Sequence, residues 1–402
     1  MKSIIRTLIL PSLLLFSCAS PSNNSRIDLS ATAKAPAGDI PVVPVADGTI
    51  PPAKKNVQLS ILLDTSNSMD GLINQAKSQL WNIVNELAES QYEGETPNLY
   101  IAVYEYGNDG LPMTSGYIRQ VTEFTADMDI VSRDLFSLTT NGGSEYCGHV
   151  INTSLDELQW TEGDSDLKII YIAGNEEFTQ GMISFRESCK KANERDIVVN
   201  TIYCGELQEG IRTSWKEGAD LTGGEYFAIN SDAVTVQVAS PYDQRIGELN
   251  YALNDTYIYY GDQGLSGYAN CTTQDDNAKG SGSSSFNGRN KFKASGNYRN
   301  TSWNLIDLEG DALTDTLRFI DNSTLPGEYQ TMGADELLKT VQLKQEEKEK
   351  IQTEMSDLIQ KREAFVKEQL ETSGEDNELE DAMLKSIRKQ AEKKKLSFDK
   401  GC

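Results

Sequence analysis

The chain has 402 residues, with 37 Lys and Arg against 61 Asp and Glu, a formal charge of −24 at pH 7. A surface this acidic repels nucleic acid and anionic lipid headgroups and fits an extracytoplasmic or cation-rich setting. The length allows two domains, or one domain and an appendage, and a single histidine, His149, excludes three-histidine zinc sites.

Residues 1–18 read as a targeting segment rather than as structure. Lys2 and Arg6 precede an apolar stretch over 8–16, interrupted by Pro11 and too short for a lasting membrane span. Leu15-Phe16-Ser17-Cys18 resembles a bacterial lipoprotein cleavage site; an ordinary cleaved signal, or Cys18 buried in a helix, are the alternatives. Lipidation at Cys18 removes Lys2 and Arg6 and leaves 35 basic against 61 acidic residues. Ala19 and Ser20 carry no acid, which points to the periplasm-facing leaflet of the outer membrane. Residues 19–55, rich in Ser, Pro and Ala, form a tether; within it Val42-Val43-Pro44-Val45 has the composition of an arm able to pack on the body.

Residues 56–255 alternate strand and helix patterns. Leu59 and the run from Ile61 to Leu63 read as a buried strand that stops at Asp64, with Ser66 and Ser68 following. Leu72, Ile73, Ala76, Leu80, Ile83, Val84 and Leu87 then recur at helical intervals. Further strands fall at 99–104, at an edge position over 117–121, and at 167–172, 197–203 and 225–229. Helices fall at 126–138, 146–160 and 183–192, with a closing helix on Ile246, Leu249, Ala252 and Leu253. This order predicts an α/β fold, a doubly wound and mostly parallel sheet with helices on both faces. Right-handed crossovers bring the loops after residues 63, 138 and 172 to one edge, where open α/β sheets bind ligands. Asp64, Ser66 and Ser68 are hard oxygen donors at that edge and suit Mg²⁺, or Mn²⁺ or Ca²⁺, better than zinc or copper. Capping of the following helix is the plainer role for the same residues.

Residues 256–333 read as an irregular extension. The Ser/Gly-rich stretch 280–288 predicts a flexible loop, and 298–320 returns to globular composition. Asp307, Glu309, Asp311 and Asp315 lack the glycine and terminal glutamate of an EF-hand and read as a solvated turn. Residues 334–400 predict a helical hairpin. Leu337, Val341, Ile351, Met355, Leu358 and Phe365 mark its first helix, with Lys344 and Lys348 breaking a coiled-coil seam. After Gly374 a second helix follows on Leu379, Met383, Ile387 and Ala391. The hairpin is either a solvated stalk packed on the body or a partner-binding arm.

Beyond Cys18 the chain holds Cys147, Cys189, Cys204, Cys271 and Cys402, an odd number, so at least one is free or paired between chains. Cys189 and Cys204 read as buried thiols, with a disulfide between adjacent elements as the alternative. Cys147 and His149 are the sole nucleophile–base combination, and no group orients them. The chain is therefore read as a non-enzyme.

Placed after an apolar strand and before an amphipathic helix, Asp64-x-Ser66-x-Ser68 resembles the first loop of the metal-ion-dependent adhesion site (MIDAS) of von Willebrand factor type A (VWA) domains. The resemblance implies that Ser144, after Gly142-Gly143, stands for the threonine of the second loop. The third loop of the family carries aspartate in Thr-Asp-Gly; here Ala173-Gly174-Asn175 lacks it, and Asn175 or Glu176 is left to supply an oxygen. Stretches 172–181, 199–205, 257–261 and 274–278 also resemble a bacterial subgroup of these domains. The implied centre is a partly degenerate site of Asp64, Ser66, Ser68, Ser144 and Glu176, with one position open to an acidic residue of a partner protein. The expectation is a lipid-anchored binding module of the cell envelope that does not bind nucleic acid. The alternative is a metal-independent scaffolding lipoprotein that contacts partners through its C-terminal helices.

Overall fold

A computed structural model describes residues 54–229, 238–280, 282–373 and 378–398. The leader with Cys18, the tether with its 42–45 stretch, the break at Gly374, and Cys402 lie outside the described residues.

The apolar run around Leu59 forms β1 (Asn56–Asp64), buried from Val57 onward. Burial on both faces is what a central parallel strand requires. β1 leads to α1 (Ile73–Ala88), β2 (Asn98–Tyr106), β3 (Ile118–Thr125), α2 (Met128–Ser137) and α3 (Cys147–Glu157). Then come β4 (Leu167–Gly174), α4 (Phe185–Glu194), β5 (Val198–Cys204), two short helices, α5 (Leu207–Arg212) and α6 (Trp215–Asp220), and β6 (Tyr226–Ile229). The sheet order is β3-β2-β1-β4-β5-β6. All pairings are parallel except that of edge strand β3 with β2.

Alternation along β1 divides the core between two faces. Leu59, Ile61 and Leu63 join α1 and α2 in one cluster, while Leu62 packs with Tyr104, Ile170, Ile172 and residues of α3 and α4 in the other. The fold is the doubly wound α/β sheet that the sequence pattern implies.

Helices continue through α7 (Asp243–Asn254), α8 (Gly264–Gly280), α9 (Ser283–Ala294) and α10 (Gly310–Phe319) to α11 (Ala334–Ser373) and α12 (Glu378–Lys393). α11 packs on α7, α9 and α10, and α12 on α1 and β6. Met383, Ile387 and Ala391 of α12 enter the same core as β1. The buried amides of Gln390 and Asn200 exchange hydrogen bonds of 3.0 and 2.7 Å, and Arg388 pairs with the buried Glu86 on α1. Among the described residues, no helix is long and apolar enough to cross a membrane.

Two expectations need correction. The stretch read as a flexible Gly/Ser loop is largely helix α9, and Gly288 allows its close approach to α1: a Cβ there would lie 2.9 Å from Trp81. The buried side chains of α9 include Asn287, Arg289, Asn290 and Lys293 beside a single large apolar one, Phe292, so the helix has no continuous apolar stripe to announce it. Asp307, read as solvated, is buried in a 3₁₀ turn (Leu305–Asp307). It accepts from Asn300 N–H at 2.8 Å and Asn304 Nδ2 at 3.0 Å, and pairs with Lys348 of α11. The lysine that breaks the hydrophobic seam thus neutralises a buried carboxylate. Glu309, Asp311 and Asp315 are exposed.

A buried ionic cluster ties the extension to the sheet. Arg289 bridges Asp129 of α2, at 2.7 Å, and Asp275 of α8. Lys293 reaches Asp275 at 2.8 Å and Asn254 Oδ1 at 2.7 Å. Asn250 and Asn254 donate to Asp275, and Tyr298 to Asp129. Burial pushes the Asp275 carboxyl up, but Lys293 and Arg289 outweigh it and hold it at about 2.

Removing one member strands the opposite charge, so Asp275→Asn should cost about 3–5 kcal/mol at pH 7. A carboxyl held below its ordinary value adds stability above that value and loses it as pH falls through the native one. Urea titrations should therefore show the gap between wild type and variant narrowing as pH drops from about 4 to about 2.

Candidate metal centre

β1 ends at Asp64 beside Tyr106 of β2, while Leu63 pairs with Ala173 of β4. The loops that follow these three strands consequently share the carboxyl edge of the sheet. Asp64 is wholly buried. Its Oδ1 accepts the Ser66 N–H at 2.7 Å, and its Oδ2 has no hydrogen-bond partner. The hydroxyls of Ser66 and Ser68 lie 2.8 Å apart, and Ser68 donates to Asn175 Oδ1 at 2.9 Å. Asn175 Nδ2 donates back to the Ser68 carbonyl at 3.1 Å. Ser66 occupies the N-cap of a 3₁₀ turn (Asn67–Met69), yet its hydroxyl does not cap that turn, and the N-cap of α1 is Leu72. Capping therefore does not account for these residues. Ser66 is buried and Ser68 exposed, so the hydroxyl pair leads from the carboxylate to solvent.

The loop before α3 is fastened across this edge by its backbone. Asn141 N–H donates to the Thr65 carbonyl at 2.9 Å, and Asp109 N–H to the Gly142 carbonyl at 2.5 Å. Gly143 lies against the Gly107 carbonyl, where a Cβ would come within 2.1 Å. Ser144 is half-buried in this loop, and Glu145 beyond it is buried. Gly107, at φ +79°, separates the two acids: a Cβ on it would stand 2.7 Å from Asp64 Oδ1 and 2.9 Å from Glu145 Cγ. Glu145, next to Ser144 and outside the donor set that the sequence implied, therefore closes over the same α-carbon as Asp64.

The third loop shows why no side chain extends from position 174. A Cβ on Gly174 would lie 2.5 Å from the Tyr106 hydroxyl, 3.0 Å from Trp215 and 3.1 Å from Asp64 Cβ. Tyr106 is buried and donates to the Ala173 carbonyl at 3.0 Å, so it fills this space. Trp215 Nε1 donates to the Glu176 carbonyl at 2.7 Å and fixes the loop. The Glu176 side chain is half-buried and accepts from Gln180 at 3.3 Å, and its charge acts on Glu145.

The pocket is electrostatically uncompensated. Burial pushes the Asp64 carboxyl up to about 7, opposed by the donors of Ser66 and reinforced by Glu145. Burial likewise pushes Glu145 up to about 7, with Glu176 and Asp109 adding to the shift and the Ser66 hydroxyl opposing it. Oxygen donors around an unpartnered buried carboxylate fit a hard divalent cation. Among the described residues, no group of three or more His, Cys, Asp and Glu is placed to hold a metal, so hydroxyls are essential to the donor set.

Cys147 is wholly buried and touches the Tyr106 hydroxyl at 3.7 Å. Burial raises its thiol far above the ordinary range, the opposite of an activated nucleophile. Burial lowers His149. Cys147, Cys189, Cys204 and Cys271 are all free and buried, which settles the Cys189–Cys204 alternative in favour of thiols.

No family model and no curated sequence matches this chain. Among solved structures, it is similar to BatB from Bacteroides thetaiotaomicron, at 18% identity and a TM-score of 0.34 over 43% of this chain and 90% of that one. The VWA domain of SpRpn10 aligns at 12% identity and a TM-score of 0.34, over 45% of this chain and 91% of that one. Proximal thread matrix protein 1 from the mussel byssus, with a zinc-occupied MIDAS motif, aligns at 10% and 0.34, over 45% and 43%. Likeness at this level carries no functional argument; the sheet order and loop geometry above stand on their own.

Gly174→Ala should destabilise by about 1–3 kcal/mol through overpacking against Tyr106. Because the two residues contact each other, Gly174→Ala combined with Tyr106→Phe should cost less than the sum of the single changes in denaturant titrations.

Proposed function

We propose that the chain is a lipid-anchored envelope module that binds a partner protein through a divalent cation at the carboxyl edge of its sheet. The observation that carries this reading is the unpartnered, fully buried Oδ2 of Asp64 beside the Ser66 and Ser68 hydroxyls. Asp64, Ser66 and Ser68 would hold Mg²⁺, or Mn²⁺ or Ca²⁺, with Ser144 on a flanking loop as a further donor, while the Glu176 carboxylate accepts from Gln180 instead. When bound, the cation supplies a positive charge that an acidic side chain of a partner can meet. That charge matters because a chain at −24 otherwise repels a carboxylate. Asn175 holds Ser68 in place from the neighbouring loop. Cys18 would carry the lipid and face the body toward the periplasm from the outer membrane, with residues 19–55 as its tether.

Calorimetric titration of the full chain with Mg²⁺ or Mn²⁺ should give one binding event, abolished in Asp64→Ala; no heat at millimolar metal would refute the cation-dependent reading. Cys18→Ala should move the protein from the membrane pellet to the soluble fraction, and unchanged sedimentation with membranes would remove the lipid anchor.

A further inference from the structure

We infer that Glu145 is the second carboxylate of this centre, supplying from the loop before α3 the charge that position 174 cannot carry. This assignment rests on the cation site proposed above and concerns which residues of this chain complete it.

Three observations converge on Glu145. The residue is only 6% exposed although it bears a carboxyl group, and a buried carboxyl that ionises calls for a partner or a metal. The acids that act on it include Glu176 and Asp109, and Asp64 in turn feels Glu145, so its surroundings are negative. It also converges with Asp64 over Gly107, where one missing methyl would touch both side chains. The loop is held in register by backbone bonds from Asn141 to Thr65 and from Asp109 to Gly142, and by the Thr140 hydroxyl donating to Asp70.

Position 174 explains the need. The Tyr106 hydroxyl occupies the volume a side chain there would enter, leaving Asp64 as the one carboxylate among Asp64, Ser66 and Ser68. A donor set with a single negative charge holds a divalent cation weakly, because affinity rises with the number of charged ligands. Glu145 restores the count to two. That carboxylate comes from the loop before α3, not from the loop after β4, where position 174 has no room for a side chain.

Titration of the full chain with Mn²⁺, followed by calorimetry and by loss of the free-ion electron paramagnetic resonance signal, tests this. Glu145→Gln keeps size and shape and should weaken Mn²⁺ binding by about tenfold or more. Its metal-free melting temperature should stay level or rise, since a like charge has been removed from the pocket; a residue that merely braces the loop would lower it. Glu145→Asp, with the charge kept and the reach shortened, should bind between the two, and it decides the matter if the glutamine variant does not fold. Wild-type binding in either variant, with Asp64→Ala inactive, would overturn the assignment and leave the cation reading standing. No binding by wild type would overturn both.

Discussion

The constraint on which the sheet edge depends is the complete burial of the Asp64 carboxylate at the end of the central strand. Withdrawing a carboxylate from water costs several kcal/mol unless charge and hydrogen bonds replace the lost hydration. The chain offsets this with the Ser66 N–H at 2.7 Å and with weaker help from the Ser66 hydroxyl and the Asn175 N–H, which burial outweighs, and Oδ2 keeps no close hydrogen-bond partner. The same side chain fixes Gly107, where a Cβ would stand 2.7 Å from Asp64 Oδ1, and it crowds Gly174, where a Cβ would clash with the Tyr106 hydroxyl at 2.5 Å and lie 3.1 Å from Asp64 Cβ. Backbone from three loops is thus packed around a group that gains little from their presence, an arrangement better suited to binding than to stability.

The sheet was legible because its central strands are largely apolar. Leu59 through Leu63, Ile169 through Ile172 and Val199 through Tyr203 are buried, and burial on both faces leaves apolar runs that only Ser60, Asn200 and Thr201 interrupt. The extension hid for the opposite reason. Part of its interior is built from Asp275, Arg289, Lys293, Asn250 and Asn254, residues that ordinarily mark a surface. Composition then reads α9 as a loop and Asp307 as solvated, because pattern analysis assumes that what is buried is apolar. Which charges neutralise each other is decided by contacts distant in sequence, such as Arg289 with Asp129 and Lys348 with Asp307.

At the site, the turn from Asp64 to Ser68 and the loops of Ser144 and Asn175 were readable as candidates, whereas the approach of Glu145 was not. Asp64, Ser66 and Ser68 fall on one turn after an identifiable strand. The absence of an acid at Gly174 was visible, but its cause, the Tyr106 hydroxyl, comes from a different strand. Glu145 carried one usable signal, an acidic residue directly after Gly142-Gly143-Ser144 in a loop assigned to the binding edge. Attention to the hydroxyl at Ser144 passed over the stronger donor beside it.

The C-terminal helices bear on where a partner can act. Leu337, Val341, Met355 and Ile359 of α11 and Met383, Ile387 and Ala391 of α12 are buried in the common core, so the apolar faces that a docking arm would offer are already engaged. On α11 a surface groove is lined by Glu346, Glu349, Glu354 and Asp357 together with Lys350. An acidic partner meets repulsion from such surfaces, screened beyond about 8 Å at physiological ionic strength. The carboxyl edge differs, because it sets oxygen donors around an unpartnered carboxylate and has Met113 and Met182 exposed on its loops. On the proposed cation-dependent reading, repulsion over the body and attraction confined to one edge would favour a single docking geometry over many weak ones, giving a strongly acidic chain specificity without a large apolar interface.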